Sequence, residues 1–198
     1  MTATNAEPHT TTGLTAAELA DLPTGMGERY ELIEGKLIAL SPAKPIHGFV
    51  AQRIASMLDA YNAKTNFGTQ FTAGTGFKTR RDDRTVRAPD VSLISYKRLP
   101  MERLEDLGAD FLSIAPELVV EVISEYDRAS EIAQKTQEWL DFGVLMVWNV
   151  YPDTRQVYRH VINEVRVLNV DDALDGGDVL PDFQIPINMF FSKRKQES

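Results

Sequence analysis

Two runs of Val, Ile, Leu and Met, PELVVEVIS at 116–124 and VLMVWNV at 144–150, stand on either side of the helical pattern SEIAQKTQEWLDFG. Apolar runs this dense belong to strands buried on both faces, and two of them joined through a helix make a βαβ crossover. The unit at 117–150 therefore predicts an α/β (α+β) fold, a mixed central β-sheet flanked by helices. The rest of the chain fits around it. RYELIEGKLIAL reads as a hairpin turning at Glu34-Gly35. Ile46, Val50, Ile54 and Leu58 recur at helical spacing and predict an amphipathic helix over about 46–62. GTQFTAGTGFKTR and RAPDVSLIS read as strands on either side of a basic turn, and VYRHVI as a strand after the turn YPDTRQ. Thr15 with Glu18 forms a capping box ahead of a short helix stopped by Pro23. Ser130 is the expected N-cap of the crossover helix and Gly143 its stop. GDVLPDFQIPINMFF is expected to cap the sheet.

A chain of 198 residues can bury one good core, so a single domain is expected over 14–192. The polar stretch 1–13 offers nothing to bury and is expected to be a disordered tail, with a second short tail at 193–198. No stretch approaches the roughly 18–20 uninterrupted apolar residues of a membrane span. MTATNAEPHTTTG has neither the basic start nor the apolar run of a signal peptide, which predicts a cytoplasmic protein. The chain has no Cys, so a metal would have to be held by hard oxygen ligands or by His. His9 and His160 share no zinc-ligand spacing with another His, and neither a P-loop lysine motif nor a dinucleotide-binding glycine fingerprint is present. The net charge of −8 argues against an all-over nucleic-acid binder. A local basic surface is still available at KTRRDDRTVR, through Lys78, Arg80, Arg81, Arg84 and Arg87.

Glu121 is the anomaly in PELVVEVIS. Side chains alternate along a strand, so Leu118, Val120 and Val122 share one face and Val119, Glu121 and Ile123 the other. A buried carboxylate must be paired, protonated or bound to a cation. Asp90, at the start of the strand in RAPDVSLIS, is one candidate partner, and two acids on neighbouring strands make a hard-oxygen site suited to Mg²⁺ or Mn²⁺. Lys135 is the other. It shares a helix face with Ile132, Trp139 and Phe142, the stripe that should pack on the sheet. A purely structural ion pair between Glu121 and Lys135 accounts for the same pattern.

YELIEGKLIALSP, RAPDVSLIS, PELVVEVIS, KTQEWLDFGVLMVWNVYPDTRQVYRH and GDVLPDFQIPINMFF together resemble the Uma family, labelled restriction endonucleases, of the PD-(D/E)XK nuclease superfamily. The resemblance runs from about residue 15 to 191 and implies a restriction-endonuclease-like fold. It matches Asp90 and Glu121 to the superfamily's two acids. Ile123 stands two residues after Glu121 where the superfamily signature has Lys, and the resemblance assigns that charge to Lys135 on the next helix. It implies a divalent metal held by Asp90, Glu121 and the Val122 carbonyl, and draws in Glu31 as a further acid and His47 as a phosphate or proton-transfer group. Ser124 and Gln137 are weaker candidates for supporting hydrogen bonds. DNA is the implied substrate, and a homodimer is expected because cutting both strands takes two active sites. Two rivals stand beside this reading: a nuclease-fold module that binds nucleic acid or protein without catalysis, and a metal-dependent hydrolase of small phosphorylated molecules.

Overall fold

The computed structural model describes residues 12–22, 29–108 and 110–191. It contains twelve strands, β1 (Arg29–Ile33), β2 (Lys36–Leu40), β3 (Gly68–Thr72), β4 (Phe77–Lys78), β5 (Val86–Arg87), β6 (Val91–Ser95), β7 (Leu118–Val122), β8 (Met146–Tyr151), β9 (Gln156–Val161), β10 (Glu164–Leu168), β11 (Ala173–Asp175) and β12 (Gln184–Pro186). The α-helices are α1 (Ala16–Ala20), α2 (Pro45–Thr65), α3 (Met101–Leu104), α4 (Ala129–Phe142) and α5 (Asn188–Phe191). The principal sheet has the order β10-β9-β8-β7-β6-β3. β7 and β8 run parallel, joined through α4, while the other neighbours in this sheet are antiparallel. The crossover expected over 117–150 is thus the centre of a mixed sheet.

The period-two pattern of the central strands decides which helix covers which face. Val91, Leu93, Leu118, Val120, Val122 and Trp148 pack beneath Val50, Ile54 and Leu58 of α2, and Leu180, Phe183, Ile187 and Phe190 of the C-terminal segment close the same core. Val119, Val147 and Ile94 point the other way, against Trp139 of α4. The segment expected to cap the sheet does so through β12, which pairs with the preceding β11, and through α5.

A second sheet, β2-β1-β5-β4, leans against the first. Its β1–β2 hairpin turns at Glu34 and Gly35, both with positive φ, the backbone of a two-residue turn whose twist matches its strands. The strands flanking the basic turn belong to different sheets: β3 pairs with β6, whereas the turn joins β4 to β5. β10 is an edge strand that sequence patterning missed, because it is short and exposed over most of its length.

The helix boundaries follow their caps. The Thr15–Glu18 capping box is formed. α2 starts with Pro45 in its first turn and ends at Asn66 in the left-handed region. Arg128 occupies the N-cap position of α4 without a side-chain capping hydrogen bond, the expected cap Ser130 lies inside the first turn, and Gly143 ends the helix in a left-handed conformation. At the N-terminal end Thr12 bridges to Lys36 and Gly13 donates to the Gly35 carbonyl, so these two residues are tied to the hairpin and not part of a disordered tail. The remainder of both expected tails, residues 1–11 and 193–198, lies outside the described residues, as do His9 and the helix stop at Pro23. Among the described residues no helix is long and apolar enough to cross a membrane.

Candidate active site

The site forms where the two sheets meet at the ends of β6 and β7. The chain crosses from the small sheet to the large one through Ala88, Pro89 and Asp90, between β5 and β6. At that crossing Asp90 Oδ2 accepts the Val122 N–H at 2.8 Å, which holds Asp90 beside the end of β7, one residue along from Glu121. β1 lies next to β5, and Glu31 Oε1 accepts the Ala88 N–H at 3.1 Å. The first turn of α2 supplies His47, whose Nε2 is 3.3 Å from Asp90 Oδ2. α4 packs over the Glu121 face of the sheet and brings Lys135 with it. Glu31, His47, Asp90, Glu121, Val122 and Lys135 all line one cavity of about 590 Å³. Every residue named for the metal site and for catalysis therefore borders a single space.

Lys135 is the hub of the charges. Its Nζ stands 3.0 Å from Glu31 Oε1, 3.0 Å from Glu121 Oε1 and 3.1 Å from Glu121 Oε2. Glu121 Oε1 also accepts the indole N–H of Trp139 at 2.8 Å. Behind Glu31 the chain of charges continues into the core. Arg87 donates from Nη1 to Glu31 Oε2 at 3.0 Å, and from Nε and Nη2 to the two oxygens of Glu138 at 3.1 and 2.9 Å. The Thr79 hydroxyl donates to Glu138 as well. Glu138, Arg87, Glu31, Lys135 and Glu121 thus alternate in sign, which offsets the desolvation each would suffer alone.

The protonation preferences follow from this arrangement. Burial pushes the Glu121 carboxyl up to about 7, with Asp90 and Glu31 adding to the rise and Lys135 opposing it. Burial also works to raise Glu31, but Lys135, Arg87 and the Ala88 amide outweigh it and hold that carboxyl below its ordinary range. Burial disfavours the Lys135 ammonium, yet Glu121 and Glu31 hold its pKa well above the ordinary lysine value. The hydrogen bond with Asp90 raises His47. Two acids on one cavity thus differ in proton affinity, a pattern shared by acid–base and metal sites and by buried ion-pair networks.

Of the basic segment, Arg87 is excluded from the role expected of it. Arg87 is 5% exposed and faces inward between Glu31 and Glu138, so it cannot meet a nucleic-acid backbone. Lys78 pairs with Asp110 and Asp83, and Arg80 with Glu34. Arg81 and Arg84 are exposed, but none of the five lines the cavity. The cations that do line it are Arg29, Lys44 and Lys135. Gln137 donates to Asp141 on the exposed side of α4, away from the cavity, whereas Ser124 lies on its wall. Sequence reasoning missed the Arg87–Glu138 pair and the indole donor. Their partners are 51 and 18 residues apart in the chain, and the one available signal was a charged residue, Glu138, next to Trp139 of the apolar stripe.

Among the described residues no group of three or more His, Asp or Glu side chains is arranged to hold a metal ion. The donors present are two carboxylates, Asp90 and Glu121, on neighbouring strands and bordering one cavity. Oxygen donors of this kind suit a hard divalent cation such as Mg²⁺, but both Glu121 oxygens are engaged by Lys135 and the Trp139 indole and Asp90 Oδ2 by the Val122 N–H and His47, so an ion would have to displace some of these partners.

A family profile described as "Putative restriction endonuclease", Uma2, matches residues 16–188. Among solved structures, "a putative nuclease belonging to DUF820" from Anabaena variabilis is similar at 21% identity, with a TM-score of 0.75 over 90% of this chain and 98% of that one. At that identity the likeness concerns the fold. No curated protein matches the chain.

Proposed function

The chain belongs to the Uma2 family, and from that footing we propose that it is a divalent-metal-dependent endonuclease that hydrolyses phosphodiester bonds in DNA. The observation that supports this reading best is the convergence of Asp90, Glu121 and Lys135 on one cavity. Asp90, Glu121 and the Val122 carbonyl would hold the ion, Mg²⁺ or Mn²⁺. Bound there, it would acidify a water and neutralise charge growing on the phosphate.

The remaining roles belong to the chain's own side chains. Lys135 carries a fixed positive charge between Glu31 and Glu121, and its ammonium orients the phosphate and stabilises the extra negative charge of the pentacovalent state. Glu31 positions that ammonium, and Arg87 with Glu138 positions Glu31. His47, at the cavity wall, holds the Asp90 carboxylate and would offer a phosphate contact or a proton-transfer group. The reading includes a homodimer, because duplex cleavage needs two active sites, and sedimentation equilibrium measures it.

The deciding experiment is plasmid cleavage in Mg²⁺ and Mn²⁺. Asp90→Ala and Glu121→Ala should each abolish cutting while circular dichroism stays that of the wild type. Undiminished cleavage by either variant sinks the assignment. The non-catalytic binding module draws on one observation, that both Glu121 oxygens are already hydrogen-bonded. Calorimetry separates the two, since a binding module gives no Mn²⁺ heat that disappears in Glu121→Ala.

A further inference from the structure

The same cavity has a far wall that the chemistry at Asp90 and Glu121 does not use. Tyr126 lies there, in the turn between β7 and α4, and at 75% it is the most exposed large apolar side chain among the described residues. The turn that displays it is internally braced. The Ser124 N–H donates to Asp127 Oδ2 at 2.8 Å, the Asp127 N–H to the Ser124 carbonyl at 3.0 Å, and the Tyr126 N–H to Ser124 Oγ at 3.4 Å. Lys44, the residue before α2, pairs with Glu125 and places its Nζ 4.3 Å from the centre of the Tyr126 ring and 3.3 Å from its hydroxyl. One face of the ring thus lies under the Lys44 ammonium, which is itself paired with Glu125, and the mostly exposed side chain is held out to solvent on the wall of the cavity that also carries the two acids.

That combination is the chemistry of a nucleotide clamp. Aromatic faces take bases by stacking, neighbouring cations follow the backbone, and the volume of about 590 Å³ falls among ordinary ligand clefts. The geometry points to a base-stacking subsite: Tyr126, braced on one face by the Glu125-paired Lys44, takes on its other face the base of an unpaired nucleotide adjoining the phosphodiester presented to Asp90 and Glu121. This deepens, and rests on, the nuclease reading above, because it names the substrate class. A base inside a continuous duplex has both faces covered by its neighbours, so Tyr126 can accept only a base that is single-stranded or turned out of the stack. The subsite therefore selects single strands, or duplexes carrying an unpaired base, over fully paired DNA.

The test uses the full chain in EDTA, where nothing is cut, with an oligonucleotide carrying 2-aminopurine. Affinity is read by anisotropy and stacking by quenching of the base's fluorescence. The wild type should bind the single strand and quench it. Tyr126→Ala should bind roughly tenfold more weakly and lose the quenching, as expected for removal of one stacking platform. Tyr126→Phe, which keeps the ring face, should retain both signals, and a blunt duplex should bind wild type and Tyr126→Ala alike. Wild-type affinity and quenching in Tyr126→Ala, or an equal loss on the blunt duplex, would overturn the subsite alone. A wild-type protein that binds neither strand nor duplex would overturn the DNA reading with it, while the Mn²⁺ heat at Glu121 remains a separate measurement.

Discussion

The indole N–H of Trp139 donates to Glu121 Oε1 at 2.8 Å, and the ring that carries it is fully buried, edge-on to Phe77. One residue of the core thereby holds the carboxylate that the cavity depends on. Glu121 is met by a neutral donor on the core side and by the Lys135 ammonium on the cavity side, which is how an acid survives in the middle of an apolar strand.

Replacing Trp139 by Phe should keep most of the packing and remove the donor. A hydrogen bond to a charged acceptor is worth about 1.5–3 kcal/mol, so urea denaturation should register a loss of that order. Metal-dependent cleavage should fall further than stability at assay temperature explains, because Glu121 loses its orientation. Unchanged Mn²⁺ heat and cleavage in a destabilised Trp139→Phe protein would reduce the bond to a packing detail.

The Lys135 ammonium now lies between the carboxylates of Glu31 and Glu121, where it competes with any second cation for Glu121. Lys135→Met should therefore bind Mn²⁺ more tightly than the wild type in a calorimetric titration. Cleavage should nevertheless drop on the order of 10²–10³-fold, the usual cost of losing one preorganised charge at the reacting phosphate. Weaker metal binding in this variant would show that the lysine recruits the ion and does not compete with it.

Arg87 sits between two buried carboxylates, with side chains 5–7% exposed throughout. Arg87→Met strands Glu31 and Glu138 together in the core and should cost about 3–5 kcal/mol. Adding Glu138→Gln removes one of the stranded charges, so the double variant should lose less than the two single losses combined. Chemical denaturation of the three proteins measures that coupling, and simple additivity would contradict the charge chain.

His160 is pushed below its ordinary value of 6.5 by burial, and its Nε2 lies 3.2 Å from the Asn149 amide. The folded protein then binds fewer protons than the unfolded chain, so the term lowers stability as pH falls through 6.5 towards the folded value and vanishes above 6.5. Subtracting the stability–pH curve of His160→Gln from that of the wild type cancels the other titrating groups. The difference should slope downward on acidification over that window, and a flat difference would place the imidazole in water.

How much of this was legible in the sequence depends on range. The crossover over 117–150, the Glu34-Gly35 hairpin, the capping box and the Gly143 stop are short-range patterns, and each is found where the residues put it. The two-residue period set Glu121 on the face of its strand opposite Val120, and the helical period put Lys135 in the stripe packing on the sheet, but only the register of β6 on β7 put Asp90 beside Glu121. Arg87 was misjudged because composition counts charges without their partners. Arg87 looks like one of five surface cations until β5 packs beside β1 and turns it inward.

Residues 116–150 by themselves dictated a strand–helix–strand unit and the presence in it of an acid and an ammonium that had to be explained, because backbone periodicity and the cost of an unpaired buried charge act locally. Only the tertiary structure decided which charges pair. It alone set Glu31 and Arg87 of the small sheet, His47 of α2 and Glu138 of α4 against the ends of β6 and β7, and brought Tyr126 and Lys44 face to face on the cavity wall. Interaction between charges depends on distances of a few ångströms, and residues up to 81 apart in the chain reach that separation only when two sheets and two helices have packed.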